Sequence, residues 1–177
     1  MAKKYHLKFA FEKLSKEFSR ETFDCGNESL NDFLKRYALQ NLKKNISVTM
    51  VAVSEENRKK ILGSYSVSMA QVGFDDLPAD LAKGIPRYPV PAMRIARLAV
   101  DRSAQSMGLE GELLRHALYR ALELSREVGT CVVLVDAIDE NAKRFYEKYG
   151  FVSLTDIPLS LVLPIDTVAE AERKGRG

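Results

Sequence analysis

Apolar positions recur along this chain with two different periods. In "FDCGNESLNDFLKRYALQNLKK", Leu30, Phe33, Leu34, Tyr37 and Leu42 fall near helical spacing, behind the capping candidates Asn27 and Ser29. "SVTMVAVS" and "ILGSYSVSMAQV" read as strands, and the polar "EENRKK" joins them as a hairpin. "GFDDLPADLAKGIPRYPVPAM" is rich in Pro and Gly and reads as an irregular crossover with at most a short helix. "MRIARLAVD" reads as a buried strand. "GLEGELLRHALYRALELSREVG" is a helix striped by Leu109, Leu113, Leu114, Ala117, Leu118, Ala121 and Leu124, with Gly129 to end it. "CVVLVDAI" is a second buried strand. "DENAKRFYEKYGF" is a short helix, with Asp139 or Asn141 near its start and Gly150 at its end. "PLSLVLPI" closes the sheet. The charged N-terminal segment is assigned no element, and residues 168–177 are expected to form a flexible tail.

This order predicts an α/β (α+β) fold with a mixed central sheet flanked by helices on both faces. The strand–helix–strand unit from Arg94 to Val135 should be a right-handed parallel crossover. No internal repeat or low-complexity linker interrupts the chain, so residues 1–177 are expected to form a single domain.

Composition narrows the function classes. The 177 residues are 46% hydrophobic, enough for one sizeable core. A net charge of +3, from 27 basic and 24 acidic residues, permits a nucleic-acid partner without demanding one. Cys25 and Cys131 stand far apart, so neither a metal site nor a disulfide framework is expected. The start is charged throughout, and no run approaches the ~18 apolar residues of a membrane span. A cytoplasmic protein without a membrane partner is expected.

Two segments could carry chemistry. "RLAVDRSAQSMGLEGELL" places a glycine where a strand turns into a helix. The first helical N–H groups and the positive dipole end can receive a phosphate there. Many such turns bind nothing, so this segment alone leaves both readings open. "DENAKRFYEKYGF" places a tyrosine on a helix directly after a central strand. A phenol with an ordinary pKa of ~10 is protonated at neutral pH and can act as a general acid. Equally, its ring can be core packing.

Together, "RLAVDRSAQSMGLEGELLRHAL" and "VVLVDAIDENAKRFYEKYGF" resemble the acetyl-CoA-binding half of a GNAT-fold N-acetyltransferase. The family loop is Gln or Arg, two residues, Gly, one residue, Gly or Ala, and it is followed by an Ala…Tyr…Gly-Phe helix. Gln105, Gly108, Ala142, Tyr146, Gly150 and Phe151 stand at those positions. "FDCGNESLNDFLKRYALQN", "LGSYSVSMAQV" and "PRYPVPAMRIARLAVDRSAQ" further resemble the GNAT toxins of bacterial toxin–antitoxin pairs.

That resemblance implies acetylation of the α-amine of aminoacyl-tRNA, which blocks translation. It implies a ribbon-helix-helix antitoxin as partner and is compatible with a homodimer. It implies that acetyl-CoA lies against Leu98, Ala99, Val100, Gln105, Ser106, Met107, Gly108, Leu109, Glu110, Gly111, Asp139, Ala142 and Tyr146. Tyr146 becomes the catalytic acid that protonates the departing thiolate, and a backbone N–H of "RLAV" polarises the carbonyl.

This chain departs from the toxins' common Gln-Gly-basic-Gly-Leu-Gly loop. Ser106 replaces the first Gly, Met107 the basic residue and Glu110 the last Gly, with Gly111 one position late. A carboxylate at Glu110 suits the helix dipole but occupies the pole that attracts phosphate.

An α-amine with an ordinary pKa of ~7.7–8.0 supplies a neutral nucleophile near pH 7, so a dedicated base is dispensable. His116 is expected to be surface-exposed rather than catalytic. Arg36, Lys43 and Lys44, in a stretch from Leu34 to Ser54 free of acids, and Arg87, Arg94 and Arg97 are the candidate tRNA contacts. Arg94 and Arg97 have opposite strand parity, so they share a face only if a bulge intervenes. Asp136 and Asp139 are expected to cap or brace loops.

The sequence is also compatible with two other readings. One is a GNAT enzyme of a small amine or protein N-terminus. The other is a non-catalytic GNAT-fold module with a degenerate loop.

Overall fold

The computed structural model describes residues 6–176. Seven strands follow the order β1-β2-β3-β4-β5-β7-β6, a mixed sheet. They are β1 (Phe9–Lys13), β2 (Val48–Ser54), β3 (Ile61–Val72), β4 (Val90–Val100), β5 (Val132–Asp136), β6 (Val152–Leu154) and β7 (Ile157–Pro164). The helices are α1 (Glu28–Asp32), α2 (Ala38–Lys43), α3 (Ala79–Ala82), α4 (Leu109–Ser125), α5 (Glu140–Glu147) and α6 (Ile165–Gly175). No helix among the described residues is long and apolar enough to cross a membrane.

The chain divides into two compact units. The first comprises residues 1–68 and 97–117, the second residues 69–96 and 118–177. In the first, β1 pairs antiparallel with β2, and β2 with β3. The pairing of β1 corrects the reading of the N-terminal segment as featureless. Its apolar run, Phe9, Ala10 and Phe11, is only three residues long and does not alternate, too short to stand out among charges. Phe23, Phe33, Leu34, Val51, Val53 and Ile61 are buried together as its core. Gly63 is required where α4 crosses β3. A Cβ there would lie 2.8 Å from Leu113 Cδ1 and 3.1 Å from the Ala99 carbonyl oxygen.

The first helical stretch starts as its sequence predicts, with the Asn27 side chain accepting the Leu30 N–H. It is not one regular helix. Between α1 and α2, residues Phe33–Tyr37 form a π-helical turn. Nothing in the apolar spacing announces that turn.

In the second unit β4 and β5 run parallel, pairing Ala92 with Val132 through Ile95 with Val135, as the predicted crossover requires. β7 pairs antiparallel with β5 and with β6. Val72, Leu77, Val90, Leu134, Leu154 and Val162 form a core. The crossover contains only a 3-10 turn, Phe74–Asp76, and α3, in keeping with its Pro and Gly content.

The tail expected to be flexible is helical instead. α6 spans Ile165–Gly175, buries Val168 and brings Glu172 to Arg126 at 3.9 Å. "VAEAERKG" has good helix formers but only a narrow apolar stripe, so its docking could not be read locally.

Candidate active site

In the first unit β4 ends at Val100, and Asp101 begins a short brace. Asp101 is only 7% exposed. One of its carboxylate oxygens accepts the Ser103 N–H at 3.0 Å and the Ser103 hydroxyl at 2.6 Å. The other accepts the Asp24 N–H at 2.9 Å. The Arg102 N–H returns to the Asp24 carbonyl at 2.8 Å, and its guanidinium lies 3.1 Å from the Asp24 carboxylate. Asp24 also accepts from the Gly26 N–H and the Asn31 side-chain amide. Those two bonds, with the nearby charges of Arg102 and Lys35, hold its carboxyl below the usual carboxylate value.

Gln105 closes the brace. Its side-chain Nε2 donates to the Cys25 carbonyl and to the Val100 carbonyl, both at 3.0 Å. Its side chain thus ties the loop to two neighbouring segments. Ser106 then adopts φ 63 and Gly108 φ 82. The left-handed region suits glycine and costs other residues roughly 1–2 kcal/mol. Ser106 therefore bears strain at the position where the toxins commonly carry glycine.

Ser106, Met107, Gly108 and Glu110 are exposed, whereas Leu109 and Gly111 are buried. α4 starts when the Glu112 N–H bonds the Gly108 carbonyl. The N–H groups of Leu109, Glu110 and Gly111 lie in its first turn, where no intrahelical acceptor exists. Nothing lies within 4 Å of the Cβ position of Gly108. An open glycine, exposed backbone and an N-terminal helical turn fit a phosphate-bearing ligand. The exposed Glu110 and the half-buried Glu112 are the opposing charges. Leu98 is half-buried, and Ala99 and Val100 are buried at the end of β4.

In the second unit Asp139 accepts the Ala142 N–H at 2.8 Å and is the N-cap of α5. Asp136 lies 3.3 Å from Arg94 and accepts the Ser160 hydroxyl at 2.7 Å. Bracing was the expected role of both acids. Tyr146 is 8% exposed, its ring edge-on to Phe145 and Phe151 at 5.2 and 5.6 Å between centroids. Gly150, at φ 92, lets α5 end, and the Phe151 N–H returns to the Tyr146 carbonyl.

His116 corrects its expected exposure. It is half-buried, stacked on Phe11 at 3.9 Å between centroids, with Nδ1 2.7 Å from the buried Tyr65 hydroxyl. Its apolar and aromatic partners sit in β1 and β3, which the helix's own sequence does not reveal.

The candidate tRNA contacts divide between the units. In the first, Arg36 lies 3.6 Å from Asp32, and Lys43 and Lys44 are exposed at the end of α2. Arg97 has φ 55 and places its guanidinium 4.2 Å above the Phe33 ring. The backbone of β4 is therefore irregular at Arg97. In the second, Arg87 lies 5.6 Å from the Phe74 ring centroid, and Arg94 is engaged with Asp136.

The brace residues Asp24 and Asp101 escaped the sequence reading. "DRS" carries a local signature for Asp101, an Asp two residues before a Ser. Its bond to Asp24 spans 77 residues and left no local trace. Tyr37 and Asn41, which with Ser29, Asp32, Phe33 and Arg97 line a pocket of about 440 Å³, were likewise missed.

β4 thus turns through an open glycine into the long helix α4, an arrangement suited to a phosphate-bearing ligand. Residues 70–153 match the family described as Acetyltransferase (GNAT) domain. The chain is 34% identical over 143 residues to the tRNA-acetylating toxin of Mycobacterium tuberculosis, covering 80% of this chain and 83% of that protein. Solved structures superpose closely. AtaT complexed with acetyl-methionyl-tRNAfMet has a TM-score of 0.87 at 27% identity, covering 93% of this chain and 99% of that one. A tyrosine-to-phenylalanine mutant of AtaT, bound to the C-terminus of the antitoxin AtaR and acetyl-CoA, has a TM-score of 0.78 at 25% identity, covering 93% and 97%. The chain belongs to the GNAT acetyltransferase family.

Proposed function

We propose that this protein is a cytoplasmic toxin that acetylates the α-amine of the amino acid on charged tRNA and so blocks translation. The observation that carries the reading is its 34% identity, over four fifths of the chain, to a tRNA-acetylating toxin. The AtaT complexes with acetylated methionyl-tRNA, acetyl-CoA and antitoxin support the same substrates and an antitoxin partner here.

Acetyl-CoA supplies the acetyl group as a thioester. In the first unit the N–H groups of Leu109, Glu110 and Gly111 would receive its pyrophosphate, with Gln105, Ser106, Met107 and Gly108 shaping the approach. Ala142, beside the N-cap Asp139, and the Leu98–Val100 backbone would complete the cofactor contacts. An α-amine is partly neutral near pH 7, so the chain needs no strong base. Tyr146 would hold the proton required at the leaving sulfur. Arg36, Lys43, Lys44 and Arg87 would meet tRNA phosphates, and Arg97, held over Phe33, would meet the tRNA end. Arg94, engaged with Asp136, would contribute least.

Purified protein added to a translation extract should arrest synthesis only when acetyl-CoA is present. Tyr146→Phe should lower the acetylation rate by about 10²-fold or more, within the range for removing a general acid. An unchanged rate contradicts the role of Tyr146. Arrest without acetyl-CoA contradicts the reading as a whole.

A further inference from the structure

We infer that the pocket at the junction of α1 and α2 receives the terminal nucleoside of the charged tRNA, its base stacked on Tyr37. The inference rests on the proposed substrate and specifies which part of it this pocket holds.

Two backbone irregularities meet at this pocket. The π-helical turn Phe33–Tyr37 supplies two of its residues. Such turns are rare and gather at functional positions. Arg97 supplies another, from a left-handed backbone at φ 55. Irregular backbone of this kind persists where the surroundings impose it, and it clusters at ligand clamps.

The lining suits a nucleoside. Tyr37 is 51% exposed, whereas its neighbour Phe33 is buried beneath the Arg97 guanidinium. An exposed aromatic ring beside a planar cation is what unstacked RNA ends stack on, because every base has a π face. The side-chain amide of Asn41 can pair with an adenine edge through one donor and one acceptor. Ser29 and Asp32 offer oxygens to ribose hydroxyls. About 440 Å³ is within the ~300–1,000 Å³ range of small-ligand pockets.

The test measures binding of the RNA trinucleotide CCA to the full chain by calorimetry, then steady-state acetylation of several charged tRNAs. Tyr37→Ala should weaken CCA binding roughly tenfold, the loss of one stacked base, while Tyr37→Trp restores it. Replacing the terminal A by U should weaken binding to wild type. In acetylation, Tyr37→Ala should raise KM by the same factor whichever amino acid the tRNA carries. No detectable CCA binding, or equal CCA binding by wild type and Tyr37→Ala, overturns the inference. A KM change confined to one amino acid also overturns it, and assigns the pocket to that side chain. CCA binding that depends on Tyr37 in a chain that acetylates no tRNA supports the pocket and overturns the proposed function instead. Tyr37 is exposed, so its replacement leaves the core intact, and thermal melts of both variants verify this.

Discussion

Asp101, immediately after β4, accepts the backbone N–H of Asp24 at 2.9 Å. That bond joins the loop leading into α4 to the segment leading into α1. Gln105 adds a second tie, bonding the Cys25 and Val100 carbonyls at once. The glycine turn is thus held from outside by ties to neighbouring backbone.

The buried carboxylate of Asp101 accepts from two backbone N–H groups and one hydroxyl. Asp101→Asn keeps the shape but turns one acceptor into a donor facing a donor. Urea denaturation should show a loss of about 1–3 kcal/mol, the usual cost of an unsatisfied buried group. Ser103→Ala should cost less, because it removes only the hydroxyl.

Ser106 occupies a left-handed backbone at φ 63. Ser106→Gly relieves roughly 1–2 kcal/mol of steric cost and gives back part of it as unfolded-state entropy. A net gain of about 0.5–1 kcal/mol should raise the melting temperature by roughly 1–4 °C. Ser106→Val should lower it, because a branched Cβ fits that region worst.

Glu110 is exposed in the first turn of α4. Two unit charges ~4 Å apart in water interact by only ~1 kcal/mol. Glu110→Gln should therefore tighten acetyl-CoA binding by less than about fivefold at low salt, with the gain fading as salt shortens the ~10 Å screening length at 0.1 M. The N–H donors persist in both forms. A gain far beyond fivefold would mean that the carboxylate points into the loop.

Asp24 is held below its ordinary value of 3.8, first by the Gly26 N–H and then by Asn31. A depressed carboxyl stabilises the fold above its unfolded pKa and loses that contribution as pH falls through the folded one. The brace should therefore be intact at pH 5–8 and weaken only below about pH 4. Asp24→Asn should flatten the stability profile below pH 4 relative to wild type, as followed by thermal melts across pH.

What the sequence made legible was local. Asn27 before α1, Asp139 before α5, Gly108 before α4 and Gly150 after α5 each act within a few residues, so spacing brought them among the candidates, and the structure selects Asn27 over Ser29 and Asp139 over Asn141. The parallel pairing of β4 with β5 followed from the same periods, whereas the three-residue β6 was too short to read. Features set by distant partners stayed hidden. β1 is a strand because β2 pairs with it, and His116 is half-buried because Phe11 stacks on it. Asp24 and Asp101 meet across 77 residues. The π-helical turn Phe33–Tyr37 carries no signature in its apolar spacing, since Phe33, Leu34 and Tyr37 also suit a regular helix.

The measurement closest to the central claim uses labelled acetyl-CoA and a mixed pool of charged tRNAs. After incubation, the ester bonds are hydrolysed and the released amino acids are separated. Label should appear on the α-nitrogen of one or more amino acids released from tRNA, and none on the same amino acids supplied free. Label on free amines alone, or no transfer at all, would contradict it.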